Sequence, residues 1–460
     1  MQKLDYFKNL CYTNIIRRCY RMIGSHELKN RNVYLRKLIG FQDTEPVKVI
    51  TGIRRCGKSS LLKLMIIHLK ETGVLPEQII EMNFESYDFR SMSADDIYSY
   101  VKERIVPQKR MYLFFDELQR INEWETAINA FRVDFDCDIY VTGSNAYLLS
   151  SEYSTYLSGR CVEIKMLPLS FREFLDFHDF EIRETLSALG GTRKQVFDKN
   201  GERYELREVF DAYMRFGGMP GIADIGLEQE KALSLLDGIY STVVVRDILE
   251  REKRRGQKQI TDPTLLRKII LFLADNIGSS ISIASIGNTL VNEGLLDDGS
   301  RKGTPSAHTV QSYVNALLES YFFYEIKRFD IKGKAYLRTL GKYYIVDIGL
   351  RNYLLGFRNR DSGHAIENVV YFELLRRGYD VAIGKVGDSE VDFIATTADD
   401  KKYIQVTESM LSEDVRKREL APLQSIRDNY EKTVLSLEPG LDSSYDGIQS
   451  ENLIEWLISE

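Results

Sequence analysis

The sequence predicts an α/β protein whose core is a parallel sheet covered by helices, with smaller modules after it. Three observations predict this. From Val47 to about Leu169, short β-branched or aromatic runs alternate with helical stretches, as strands joined by crossover helices do. A glycine-rich loop, Gly52-Ile53-Arg54-Arg55-Cys56-Gly57-Lys58-Ser59, lies between the first of these runs and a helical stretch. The chain of 460 residues is also too long for one compact core, so roughly two to four domains are expected.

Composition narrows the class. Hydrophobic residues at 43% and charged residues at 28% are the proportions of a soluble globular chain. No apolar run approaches the roughly 20 residues of a membrane helix, and residues 1–21 mix Lys, Asp and Arg among their apolar positions, unlike a secretion signal. A cytoplasmic protein with no membrane partner is expected. The five cysteines, Cys11, Cys19, Cys56, Cys137 and Cys161, form no CxxC and have no histidine at metal-ligand spacing, so they read as reduced thiols. A net charge of −6 gives no global attraction to nucleic acid, which leaves a local basic surface to supply any.

In chain order, residues 1–30 form an extension without a motif, in which 15–23 has the pattern of a short basic amphipathic helix. Residues 31–170 form the core, with strands expected at 47–50, 79–84, 111–115, 138–142 and 162–166. Residues 171–258 read as mostly helical, a lid broken at Phe216-Gly217-Gly218-Met219-Pro220-Gly221. A module at 259–358 and a last α/β domain at 359–460 complete the chain.

The loop carries the strongest chemical signal. In GxxxxGK[ST] the glycines let the backbone wrap phosphate with successive N–H groups inward, while the following helix presents its positive end. Gly52, Arg54, Arg55, Cys56, Gly57, Lys58, Ser59 and Ser60 are therefore expected around the phosphates of ATP. Lys58 reaches the β and γ phosphates, and the Ser59 hydroxyl ligates Mg2+. Cys56 reads as a small residue filling its position. Met111-Tyr112-Leu113-Phe114-Phe115 is an apolar strand ending in Asp116 and Glu117, at the sheet edge where such folds bind ligands. Asp116 suits the magnesium contact, and Glu117 the orientation of an attacking water. In Thr142-Gly143-Ser144-Asn145, Ser144 or Asn145 either contacts the γ-phosphate or its water, or caps the next helix. Arg160 either places a guanidinium on the transferring phosphoryl group or forms a surface salt bridge.

These stretches, with Phe115-Asp116-Glu117-Leu118-Gln119, Leu157-Ser158-Gly159-Arg160 and Pro168-Leu169-Ser170-Phe171-Arg172-Glu173-Phe174, together resemble the prokaryotic AAA-type P-loop ATPases that carry a C-terminal domain of unknown function. The resemblance covers about residue 31 to the end. It implies an AAA-like core, a helical lid, a winged-helix module and a terminal fold similar to restriction endonucleases, and it supplies no biological role.

Residues 259–358 support a winged helix-turn-helix on their own pattern. A short helix starts near Ile281, and a longer one, 306–321, carries Val310, Tyr313, Val314 and Leu317 at helical spacing. A basic run follows with Lys327, Arg328, Lys332, Lys334, Arg338 and Lys342 against the single acid Asp330. Such a module puts its second helix in a DNA groove and its wing on phosphate. Here that helix is polar, with Ser306, His308, Thr309, Gln311 and Asn315, so duplex DNA and a protein partner both stay open. In the last stretch Glu367 in a helix, Asp392 in a strand, then Gln405 and Thr407 in another follow the order of the restriction-endonuclease core, helix Glu, strand Asp, then Glu-x-Lys. There the acids hold magnesium and the lysine helps activate water. With Gln405 and Thr407 at the second acid and the lysine, a degenerate nuclease-like site is expected, Gln405 retaining a neutral oxygen for a metal and Lys385 able to swing in. The functional expectation is an ATPase coupled to DNA-facing modules, with a nucleotide-gated switch for a protein partner or an ATP-regulated nuclease as alternatives. A homo-oligomer is compatible with all three.

Overall fold

A computed structural model of the chain describes residues 28–144, 159–186, 192–249, 260, 262–292, 305–358, 362–440 and 442–459. The expected helix at 15–23 and Asn145 lie outside these. The chain divides into two compact units, one of Met1–Val49, Lys58–Thr142 and Gly159–Ile164, the other of Ile50–Gly57, Gly143–Ser158 and Lys165–Glu460. No helix among the described residues is long and apolar enough to cross a membrane.

In the first unit, helix α1 (Asn32–Gly40) precedes a five-stranded sheet of β1 (Val47–Thr51), β2 (Ile79–Asn83), β3 (Met111–Asp116), β4 (Cys137–Gly143) and β5 (Cys161–Lys165). The crossover helices are α2 (Lys58–Glu71), α3 (Ala94–Lys102) and α4 (Trp124–Asp134). The sheet order is β2-β3-β4-β1-β5, and β3 pairs in parallel with both β2 and β4. Every residue of β3 is buried, as expected of a parallel strand covered on both faces and written as one apolar run. Phe114 stacks on Tyr140 with ring centroids 4.7 Å apart. Buried Lys48 and Asp138 pair at 2.5 Å and tie β1 to β4.

The second unit continues with α5 (Phe171–Phe177), opened by a reciprocal Ser170–Glu173 capping box. The described part of 171–258 is mostly helical, but it also holds three strands that its pattern did not suggest. Strands β6 (Glu181–Leu186), β7 (Thr192–Phe197) and β8 (Arg203–Glu205) form an antiparallel sheet. These strands are short and largely polar, and Lys194, opposite Glu184 in the ladder, pairs with Glu455 at 2.6 Å while Val196 is fully buried. Helices α6 (Leu206–Phe216), α7 (Gly221–Ile225) and α8 (Gln229–Ser241) follow, and α8 runs on into a π-helical segment, Thr242–Leu249.

Next come α9 (Pro263–Asp275), β9 (Ser280–Ile281), α10 (Ile283–Asn292), α11 (Ala307–Glu319) and the antiparallel hairpin of β10 (Phe323–Asp330) and β11 (Ala335–Ile345). After α12 (Ile348–Leu355) and α13 (Ser362–Arg376), strands β12 (Asp380–Val386), β13 (Ser389–Thr396) and β14 (Lys401–Ser409) precede α14 (Glu413–Gln424). The chain ends with β15 (Glu431–Glu438), β16 (Ser444–Tyr445), β17 (Ile448–Asn452) and α15 (Leu453–Ile458). Strand β10 pairs in parallel with β12, Arg328 opposite Ile383, so one nine-stranded sheet, β16-β17-β15-β14-β13-β12-β10-β11-β9, crosses the expected boundary at 358/359.

The glycine break before α7 has a packing reason. Gly218 N–H donates to Asp347 Oδ2 at 2.6 Å, Leu350 N–H donates to Oδ1 at 3.1 Å, and a Cβ on Gly217, at φ 78°, would lie 2.3 Å from Oδ1. Burial pushes the Asp347 carboxyl up to about 6 against the backbone N–H groups that favour its charge.

Candidate functional site

The glycine-rich loop leaves β1 and opens α2, of which Lys58 is the first residue. Two of its glycines are sterically required. A Cβ on Gly52, at φ 142°, would stand 2.1 Å from the Met166 carbonyl oxygen and 3.2 Å from Cys56 Sγ, and Gly57 has φ 106°, a conformation that costs other residues strain. Cys56 is fully buried, as a small filling residue should be. Lys58 is buried, Ser59 and Ser60 half-buried, and Arg55 exposed at φ 62°. Arg54, expected near the phosphates, turns its Nε to the carboxylate of Asp247, 2.7 Å from each oxygen.

In the first unit, Asp116 at the end of β3 anchors a hydrogen-bonded cluster. Its Oδ1 accepts from Thr142 Oγ1 at 2.5 Å and its Oδ2 from Asn83 Nδ2 at 3.1 Å, and the Ser59 hydroxyl bonds the same carboxylate. Parallel register makes this possible, since Asn83 on β2 lies opposite Asp116. Burial raises the Asp116 pKa; Thr142 and Ser59 oppose the rise, Glu117 adds to it, and Lys58 opposes it. Thr142 Oγ1 also accepts from the Glu117 backbone N–H at 2.9 Å. One hydroxyl thus fixes both acids. Glu117 has φ 57° and ψ 41°, a left-handed conformation that is strained for a residue with a side chain and is found at active sites. Its Oε2 accepts from Gln119 Nε2 at 2.7 Å.

Sequence reasoning missed Asn83, Thr142 and Gln119 as members of this cluster. Thr142 and Gln119 stood in stretches already singled out, and the available signal for Asn83 and Thr142 was a polar residue near the end of β2 and of β4. Ser144 is buried just past the end of β4. Arg160 is exposed before β5, its carbonyl accepting from Val47 N–H at 2.9 Å.

In the second unit the nuclease-like residues line one cleft of about 700 Å³ with His364, Arg418 and Glu419. Asp392 Oδ2 accepts from Val406 N–H at 2.9 Å, and Glu367 accepts from Tyr344 Oη. Gln405 does not hold its oxygen out for a metal. Its Oε1 accepts from Asp392 N–H at 3.3 Å and its Nε2 donates to Glu419 at 3.0 Å. Thr407 is buried beside it.

A lysine does reach two acids of this cleft, from an unexpected place. Lys342 on β11, expected in an exposed basic wing, is buried with Nζ 3.1 Å from Glu367 Oε1, 2.9 Å from Glu390 Oε1 and 4.0 Å from Asp392 Oδ1. Burial lowers its pKa, but Glu367, Asp392 and Glu390 outweigh that and the net shift is upward. Asp392 is pushed well up by burial and by the Glu367 charge, against Lys342 and the Val406 N–H. The ammonium lies among the acids where a bound cation would be sought. Among the described residues no group of three or more His, Cys, Asp or Glu is arranged to hold a metal ion.

The rest of the expected wing divides. Lys327, Lys332 and Lys334 are exposed, Arg328 Nε approaches Glu390 at 3.6 Å, and the Arg338 side chain lies outside the described residues. On α11, His308, Gln311 and Asn315 are exposed, whereas Ser306 caps the helix by accepting from Thr309 N–H at 3.0 Å.

The sheet order, the loop leading into α2 and the acids ending β3 are those of a P-loop core. Residues 44–175 match the AAA domain family, and residues 207–361 match a domain of unknown function (DUF8612). An uncharacterized protein of Haemophilus influenzae is 36% identical, the match covering 94% of this chain and 100% of its own. One of Methanocaldococcus jannaschii is 30% identical, over 85% of this chain and 79% of its own. The chain belongs to the same family as these two proteins. Among solved structures, a Walker-type ATPase of Pyrococcus abyssi is 16% identical over 71% of this chain and 95% of its own, with a TM-score of 0.45.

Proposed function

We propose that the protein binds ATP with magnesium at the loop and at Asp116, and hydrolyses it. The cluster around Asp116 is the observation that supports this best. The Ser59 hydroxyl and the Asp116 carboxylate, already hydrogen-bonded to each other, are the hard oxygen ligands that magnesium takes beside phosphate and water. When bound, the ion neutralises charge on the phosphate oxygens. Lys58 pairs with the β and γ phosphates, and Ser144 supports the γ-phosphate or its water. Glu117 orients the attacking water and accepts its proton, with its carboxylate held by Gln119. Phosphate release by the purified protein, abolished in Lys58→Ala, tests the reading.

Arg160 stands in solvent, which suits action on the nucleotide of a neighbouring copy. Mixing Arg160→Ala with Lys58→Ala protein is then expected to restore part of the turnover that each lacks, because mixed assemblies contain sites with both groups intact. No recovery on mixing, or full activity of Arg160→Ala alone, removes that role.

The exposed Lys327, Lys332 and Lys334 of the hairpin after α11 support a duplex-DNA contact, with the wing on phosphate and His308, Gln311 and Asn315 toward the groove. Reversing Lys332 and Lys334 to Glu is expected to weaken duplex binding at low salt and to reduce the salt slope by about 2, one per lost phosphate contact. Unchanged binding moves the contact elsewhere, and no binding by the wild type favours a protein partner.

The C-terminal cleft is proposed to bind rather than cut, because Lys342 neutralises the acids that would hold a metal. Supercoiled and linear DNA are expected to stay intact in magnesium or manganese, with and without ATP. Cleavage lost in Asp392→Ala would overturn this.

A further inference from the structure

We infer that Asp247 is a positioning residue for the phosphate loop, acting through Arg54. This rests on the nucleotide reading of the loop. Arg54 is the third residue of the loop, and its Nε lies 2.7 Å from both carboxylate oxygens of Asp247. The side chains are only 13% and 8% exposed, so the contact is shielded from the solvent that weakens surface pairs. A charge-assisted bond of this kind is among the strongest a side chain makes and fixes orientation as well as distance.

The neighbouring geometry points the same way. Arg55 holds a left-handed backbone at φ 62°, rare for a residue with a side chain, and a Cβ added to Gly238 would lie 3.7 Å from its Nη1. Both loop arginines therefore reach one helical stretch, Arg55 toward α8 and Arg54 to the segment that continues it. That segment is π-helical over eight residues, a form that is rare and concentrated at functional places. Ile50–Gly57 and this stretch belong to the same compact unit.

The loop works only if its N–H groups already point at the phosphates. Between Gly52 and Gly57 it contains three residues at positive φ, and a loop in such an unusual path needs an external hold to stay in it. The Asp247 carboxylate supplies that hold at Arg54. Without it the competent loop is a smaller fraction of the population, and apparent affinity falls by that fraction. Asp247 lies within residues 207–361 and Arg54 within residues 44–175, so the pair lets the second domain set the phosphate affinity of the first.

The test is equilibrium titration of full-length protein with a fluorescent ATP analogue, alongside steady-state hydrolysis and a melting curve without nucleotide. Asp247→Ala and Arg54→Ala are each expected to weaken binding about tenfold while kcat at saturating ATP stays within about twofold, and the double variant is expected to be no weaker than either single one. Asp247→Glu recovers part of the affinity. If Asp247→Ala does not fold, Asp247→Asn keeps the shape, removes the charge and carries the same expectation. Losses that add in the double variant, or a lower melting temperature with unchanged affinity, overturn the positioning role. No binding by the wild type overturns the nucleotide reading instead.

Discussion

Glu117→Gln is expected to keep ATP bound and to slow hydrolysis by roughly 10²- to 10⁴-fold, the range for losing a positioned general base. Glutamine matches glutamate in size, and the backbone bond from residue 117 to Thr142 does not involve the side chain, so the β3 cluster stays in place. Only the proton acceptor is lost. Lys58→Ala should behave differently, because it removes the buried ammonium that is proposed to pair with the phosphates, and binding itself should fail. Equilibrium binding and single-turnover hydrolysis on the two variants separate these outcomes. Wild-type turnover in Glu117→Gln removes this residue from the chemistry.

The second large effect concerns Lys342. Lys342→Ala leaves Glu367 and Glu390 without the cation that both touch, and removing one partner of a buried pair costs about 3–5 kcal/mol. In the wild type the Glu367 pKa is lowered overall; burial raises it, but the Lys342 charge and the bonds from His364, Tyr344 and Lys342 outweigh that. A carboxylate with a depressed pKa contributes stability above its unfolded value of 4.5 and loses it as pH falls through the folded value. The deficit of the variant should therefore be largest near neutrality and shrink as Glu367 takes up a proton on acidification. Thermal melts at pH 7 and near pH 4.5 check this, read as the shift of the transition that contains the nine-stranded sheet, since a chain with two units is not two-state. An equal deficit at both pH values contradicts the account.

The phosphate loop and β3 were legible because their signals are local. A loop of required glycines between strand and helix, and an apolar run closing in two acids, each carry their reason within a few residues. Placing Asp116 and Glu117 at the end of a buried strand needed no knowledge of neighbours, whereas the bonds from Asn83 and Thr142 depend on parallel register, which pattern alone does not specify. The strands β6 to β8 escaped because they are short and largely polar. Lys342 was misread for a related reason. In the sequence it ends a basic run and looks solvent-facing, but β11 returns along β10 and the pairing of β10 with β12 brings that end of the strand to the acids of β13 and α13. The lysine beside Glu367 and Asp392 thus comes from a strand more than sixty residues before Thr407. Arg54 belongs with Asp247 on the same grounds, being 193 positions away.

The central claim is that the β3 cluster and the loop make a working ATPase. It is tested most directly by phosphate release from purified full-length protein supplied with ATP and magnesium, with and without duplex DNA and beside Lys58→Ala. The account predicts steady release by the wild type, none by the variant, and a rate that changes when DNA is added. No release by well-folded wild-type protein under either condition would contradict it.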